Sequence, residues 1–140
     1  MITQTSCTVF QQNLLNGNEN FTTGTYKIAL YNANADVNLD TTVYASTNEV
    51  TGTGYTAGGN TLTGASVNLD TSNGIVYVSF NNAQWTNASF TCRGALIYNT
   101  SKSNKSVAVL NFGNDKIVSS GTFTITFPAN TSTSAVIRSV

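Results

Sequence analysis

The chain contains no histidine, one proline, one tryptophan, and only six basic and six acidic side chains among its 140 residues. Without histidine it lacks the usual general base of neutral pH and the commonest zinc ligand. No Ser-His-Asp or Cys-His arrangement can be assembled within it. A formal net charge of zero provides no field to gather nucleic acid or an anionic membrane, so neither is expected as a partner. No apolar run approaches the roughly 20 residues needed to span a bilayer. The start, Met1-Ile2-Thr3-Gln4-Thr5-Ser6, lacks the basic region and apolar core of a signal peptide. Cysteine is scarce too: Cys7 and Cys92 lie far apart, and a disulfide would need their Cα atoms within about 7 Å. Two unpaired thiols suit a reducing cytoplasm, and Cys92, inside a strand-like run, reads as a small buried hydrophobe. Asn-x-Ser/Thr triplets at Asn20, Asn87, Asn99, Asn104 and Asn130 follow from composition and carry no weight for glycosylation.

What is present is threonine, serine and asparagine, which together make up about two-fifths of the chain and favour strands and turns over helices. The length suits one domain able to bury a core without staples. Residues from Ser6 to Asn16 are the best helix candidate, with Phe10 and Leu14 four apart and Asn16-Gly17 as a stop. So short a helix is marginal alone and must pack on the body or on a partner. Strand signals then follow one another. Thr25–Tyr31 alternates with Tyr26, Ile28 and Leu30 on one face, and Asn60–Leu69 and Ile75–Phe80 come next. Ser89–Cys92 and Ala95–Tyr98 flank Gly94, a candidate bulge, and Val107–Phe112 and Thr122–Phe127 complete the set. The expectation is an all-β fold, an antiparallel β-sandwich or jelly-roll-like barrel over residues 23–140, preceded by an N-terminal helix or arm over residues 1–22.

The search for chemistry yields little. The acids are Glu19, Asp36, Asp40, Glu49, Asp70 and Asp115; a glycosidase needs two of them flanking a sugar bond, whereas solvated turn aspartates account for the Asp36–Asp40 loop and for Asp70. The Asp70–Gly74 turn lacks the closing glutamate of a calcium loop. No metal, cofactor or catalytic residue is expected. The Gly52–Gly59 loop lacks the Lys-Ser/Thr that completes a phosphate loop. It reads either as a plain surface turn or as a protein-contacting loop carrying Gly52, Gly54, Tyr55, Gly58 and Gly59. On the second reading, Tyr55→Ala leaves thermal stability nearly unchanged and weakens association. Lys102 and Lys105 share a hairpin tip and form no basic patch. Trp85 reads as core, with a sugar-stacking platform as the alternative.

The run Tyr44–Gly59, with Asn48-Glu49-Val50-Thr51-Gly52-Thr53-Gly54-Tyr55 as its most distinctive part, resembles a family of small tailed-bacteriophage and prophage virion proteins. Thr25–Tyr31, Cys92–Asn99, Val107–Gly113, Gly121–Pro128 and the opening Phe10–Gly17 are similar to the same family. The resemblance implies a non-enzymatic virion component assembled in the host cytoplasm. The favoured role is a capsid decoration (cement) protein, a homotrimer binding the major capsid protein on the outer face of the head. Phe10, Leu14 and Leu15 join the glycine-rich loop as expected contact residues, Phe10–Leu15 packing on a partner or on its own sandwich. The alternatives are a tail or neck adaptor or fibre-associated protein, and a carbohydrate-binding module.

Overall fold

Alternation in the Thr25–Tyr31 run produces strand β2 (Tyr26–Tyr31), but its inward residues are not confined to one face: Ile28, Ala29, Leu30 and Tyr31 are all buried. A strand covered on both faces loses the polar alternates that a half-exposed strand keeps. The computed structural model describes residues 1–128 and 137–139; the Asn130 triplet lies outside them. In chain order the elements are β1 (Thr5–Ser6), α1 (Thr8–Leu15), β2, β3 (Asn60–Thr61), β4 (Ser66–Asp70), β5 (Ile75–Ser79), β6 (Ala83–Asn99), a 3-10 turn (Thr100–Lys102), β7 (Lys105–Ile125) and β8 (Ile137–Ser139). The protein is all-β with a short N-terminal helix. Its described strands form two antiparallel sheets, ordered β1-β7-β6-β2-β3 and β4-β5-β8.

Two differences from the sequence reading have local causes. The Asn60–Leu69 run is broken in two around Gly64, whose φ of +66° turns the chain between β3 and β4. Conversely, the Val107–Phe112 run and the Thr122–Phe127 run as far as Ile125 belong to one 21-residue strand paired along its length with the 17-residue β6. Bulges keep that long ribbon continuous. Cys92 faces Lys116 and Gly94 faces Asn111, so residues 112–115 stand opposite Arg93 alone. The excursion is held by Gly113 N–H donating to the Asn111 side-chain oxygen at 2.9 Å, and by the 2.9 Å contact of Arg93 Nε with Asp115. Gly94 is therefore a bulge position, as its place in the sequence suggests.

Helix α1 ends where expected, with Asn16 N–H bonded to the Gln12 carbonyl and Gly17 at φ +73°. Of its apolar residues only Phe10 is buried. Phe10 meets Phe21 edge-on, and Phe21 stacks on Tyr26 with centroids 4.5 Å apart. Phe80 and then Phe127 extend this aromatic row towards the start of β6. Residues 1–22 are thus joined to the body by the β1–β7 pairing and by Phe10. Cys7 and Cys92 are free thiols within the core. Burial pushes the Cys7 thiol up to about 11 and, with the Asp115 charge adding to it, the Cys92 thiol up to about 12.

Candidate functional site

The distinctive Asn48–Gly59 segment lies along the edge of β2 opposite β6. Strand β3 pairs only with Lys27 and Ile28, leaving the outer edge of β2 beyond them bare. The segment takes over that edge. Val50 N–H donates to the Leu30 carbonyl at 2.9 Å, Asn32 N–H donates to the Asn48 carbonyl at 3.0 Å, and Leu30 N–H donates to the Tyr55 phenolic oxygen at 2.9 Å. On its other side, Ser89 N–H of β6 donates to the Thr53 carbonyl at 2.9 Å. An unpaired strand edge is costly when buried, and here an irregular loop satisfies it.

Glutamate 49 is the hub of this arrangement. It is 7 % exposed, and its carboxylate accepts from the Tyr44 hydroxyl at 2.6 Å, the Tyr55 hydroxyl at 2.5 Å and the Gly58 N–H at 2.7 Å. Short charge-assisted bonds of this kind are what allow a carboxylate to leave water. Its neighbours register the charge. Burial first, then the Glu49 interaction, holds the Tyr44 and Tyr55 phenols well above the ordinary tyrosine range. The same two causes push Tyr98 up to about 12. Tyr98 in turn donates to the Gly58 carbonyl at 2.6 Å and stacks on Tyr44 at 4.6 Å. Phenols kept neutral in this way serve as donors and not as bases.

The glycines have a steric role in the same clamp. A Cβ on Gly59 would overlap the Ile28 carbonyl oxygen, and one on Gly52 would overlap the Ser89 carbonyl oxygen. A Cβ on Gly54 would also crowd the Ala88 backbone, at 2.8 Å from its Cα. Tyr55 packs its ring between Trp85 and Phe90, at centroid distances of 6.2 and 5.8 Å. The expectation that Tyr55→Ala is nearly neutral for stability is therefore corrected: the ring and hydroxyl are both engaged by the fold. Trp85 is 3 % exposed, which bears out the core reading and leaves no indole face for a sugar.

The expected contact residues thus divide into two groups. Phe10, Tyr55, Gly58 and Gly59 turn their side chains or backbone towards the protein's own body, and the backbones of Gly52 and Gly54 lie against β6 at Ser89 and Ala88. Leu14 and Leu15 stand at the surface, Leu15 at 88 % exposure. Sequence reasoning missed a third group, Val67, Leu69 and Val76, which are exposed on the β4–β5 hairpin. The signal was there in the strict alternation of Ser66-Val67-Asn68-Leu69-Asp70, which marks two unlike faces without saying which looks outward.

Asp36, Asp70 and Glu19 are tied into local structure. Asp36 accepts from the N-terminal ammonium at 3.1 Å and from Asn38 at 2.9 Å, contacts that hold its carboxyl below the usual range. Asp70 accepts from the Asn73 backbone and side chain, closing the β4–β5 turn. Glu19 accepts from the Tyr26 hydroxyl at 2.6 Å and from the Asn99 amide at 3.0 Å, fastening the connector after α1 to β2 and β6. Among the described residues no three His, Cys, Asp or Glu side chains converge as metal ligands would. Comparison with protein-family models, with curated proteins and with solved structures finds no match to this chain.

Proposed function

We propose that this protein is a non-enzymatic structural component of a tailed-bacteriophage virion, acting as a decoration protein bound to the major capsid protein on the outer face of the head. The observation that carries the reading is a contrast between a tightly clamped interior and apolar side chains left at the surface. The glycine-rich run by which the chain resembles virion proteins is held down by Glu49, while Leu14, Leu15, Val67, Leu69 and Val76 are not covered. A body that spends most of its carboxylates on hydrogen bonds and turns, and keeps apolar side chains outside, is suited to contact and not to turnover. A shell supplies many symmetry-related copies of one weak contact, so modest apolar area per copy is enough. The resemblance adds a homotrimer as the bound form.

The deciding experiment is the copy number of this protein in washed particles. Hundreds of copies support a head-lattice role, whereas about six or twelve place it in a neck or tail ring. Absence from washed particles refutes a virion role altogether. Titration of glycans onto the purified protein separates a decoration protein, which ignores them, from a carbohydrate-binding module.

A further inference from the structure

The register of the small sheet shows which side of it is finished and which is not. Val67 pairs with Val78 and Leu69 with Val76, while Ile137 of β8 pairs with Val78, so these five apolar residues share one face. Ser66, Asn68, Asp70, Ile75, Tyr77 and Ser79 share the other, which is polar apart from Ile75 and the Tyr77 ring. In a half-buried hairpin the apolar face should be the covered one. Here the order is reversed towards the tip: Val67, Leu69 and Val76 are exposed, Leu69 at 65 %, whereas Ser66, Asn68 and Asp70 are each half-buried. At the base of the same face Val78 and Ile137 are buried. Ile137 also lines a groove with Phe10, Leu14 and Leu15 of α1. The exposed helix leucines and the exposed hairpin residues therefore border one buried apolar patch and form a single strip.

We infer that this strip is a self-association surface, and that its occupant is a second copy of the chain related by a two-fold axis. The first argument is charge. The strip itself has no charged member, Arg138 is the one charged residue among the described residues lining the groove, and the whole chain has a formal net charge of zero. Two copies can meet face to face without the repulsion that keeps most proteins apart. An isologous contact requires a surface compatible with itself, and an uncharged apolar strip meets that requirement. The second argument is area. The exposed fractions of Leu14, Leu15, Val67, Leu69 and Val76 amount to roughly 300 Å² of apolar surface per copy, taking about 100 Å² for a side chain of this size. Doubled across a two-fold axis and given an ordinary polar rim, the contact reaches about 1,000 Å² in total, the lower bound for a specific interface. A pair of this size is weak and reversible, with a Kd above about 1 µM. This assigns a two-fold pair in solution where the resemblance implies a three-fold bound form; it does not depend on the virion role, and because it covers the same five side chains, the pair must part before they can meet a shell.

Sedimentation equilibrium on the purified chain from about 1 µM to 1 mM tests it. The expected result is a reversible monomer–dimer transition in that range. Leu69→Asp and Leu15→Asp, both at exposed positions, should each weaken it at least about ten-fold while circular dichroism and thermal unfolding stay as in the wild type. A monomer throughout the range, a trimer, or a dimer indifferent to both substitutions overturns the inference. Particle association of the same proteins separates the two readings. A monomer that still decorates phage heads removes only the pair, and a dimer absent from particles removes only the virion role.

Discussion

Replacing Tyr55 tests the clamp directly, because its ring and its hydroxyl make separable contributions. The hydroxyl accepts from Leu30 N–H and donates to Glu49, so Tyr55→Phe leaves a backbone donor and a carboxylate oxygen each short of one partner. Losses of that kind cost about 1–3 kcal/mol. Tyr55→Ala also empties the space beside Trp85 and Phe90. Full removal of a buried aromatic ring costs about 3–5 kcal/mol; Tyr55 is only partly buried, which favours the lower end, about 3 kcal/mol. For a domain of this length each kcal/mol moves Tm by about 3–4 °C. Tyr55→Ala should therefore melt about 10 °C below the wild type, with Tyr55→Phe about halfway between. The assay is thermal and urea unfolding followed by far-ultraviolet circular dichroism and by emission from Trp85, the single tryptophan and a direct neighbour of the substituted ring. Melting of both variants within about 2 °C of the wild type would refute the clamp and restore Tyr55 to a solvent-facing loop.

Three further outcomes follow from the same geometry. Glu49→Gln keeps the shape but offers one acceptor oxygen where three donors converge, so it should cost about 2–3 kcal/mol in urea unfolding; an unchanged midpoint would show that Glu49 is solvated. Tyr26, Tyr31 and Tyr98 are buried with phenol pKa values above the ordinary 10.0, each raised chiefly by desolvation. Because the native state favours the neutral phenol, this stability is fully present below pH 10 and declines as pH rises through the native values, about 12 for Tyr98. The unfolding free energy from urea titration should therefore fall steadily above pH 10, by up to about 1.4 kcal/mol per pH unit for each such tyrosine. A flat profile from about pH 8 to 11.5 would contradict that. Finally, Cys7 and Cys92, with thiols pushed up to about 11 and 12, should resist a disulfide reagent at pH 8 in the native state and react fully in denaturant. Rapid labelling of one equivalent in native protein would show that a thiol is accessible.

Much of the fold is readable before any tertiary information. The Tyr26-Ile28-Leu30 alternation, the Phe10–Leu14 spacing with its Asn-Gly stop and the Gly94 interruption each mark an element found close to where it is expected. These signals are local because backbone hydrogen bonding repeats every two residues in a strand and every 3.6 in a helix. The same local logic fails where an interruption is absorbed. The Phe112–Asp115 excursion resembles a loop between two strands, yet the pairing resumes at Lys116 because the partner strand continues past it.

Composition and periodicity determined that the chain is strand-built, without histidine and poor in charged side chains. They could not determine which way a side chain points once it leaves regular structure. Glu49 looks like any solvated loop acid until the fold brings the Tyr44 and Tyr55 hydroxyls and the Gly58 N–H to its carboxylate. Tyr55 looks like a surface aromatic until β2 presents an unpaired edge for its hydroxyl to cap. Val67 and Leu69 alternate as core residues do, yet they face outward, because no described element covers that side of the hairpin tip. Local sequence sets the two faces of a strand, but burial is decided by whatever distant segment arrives to cover one of them.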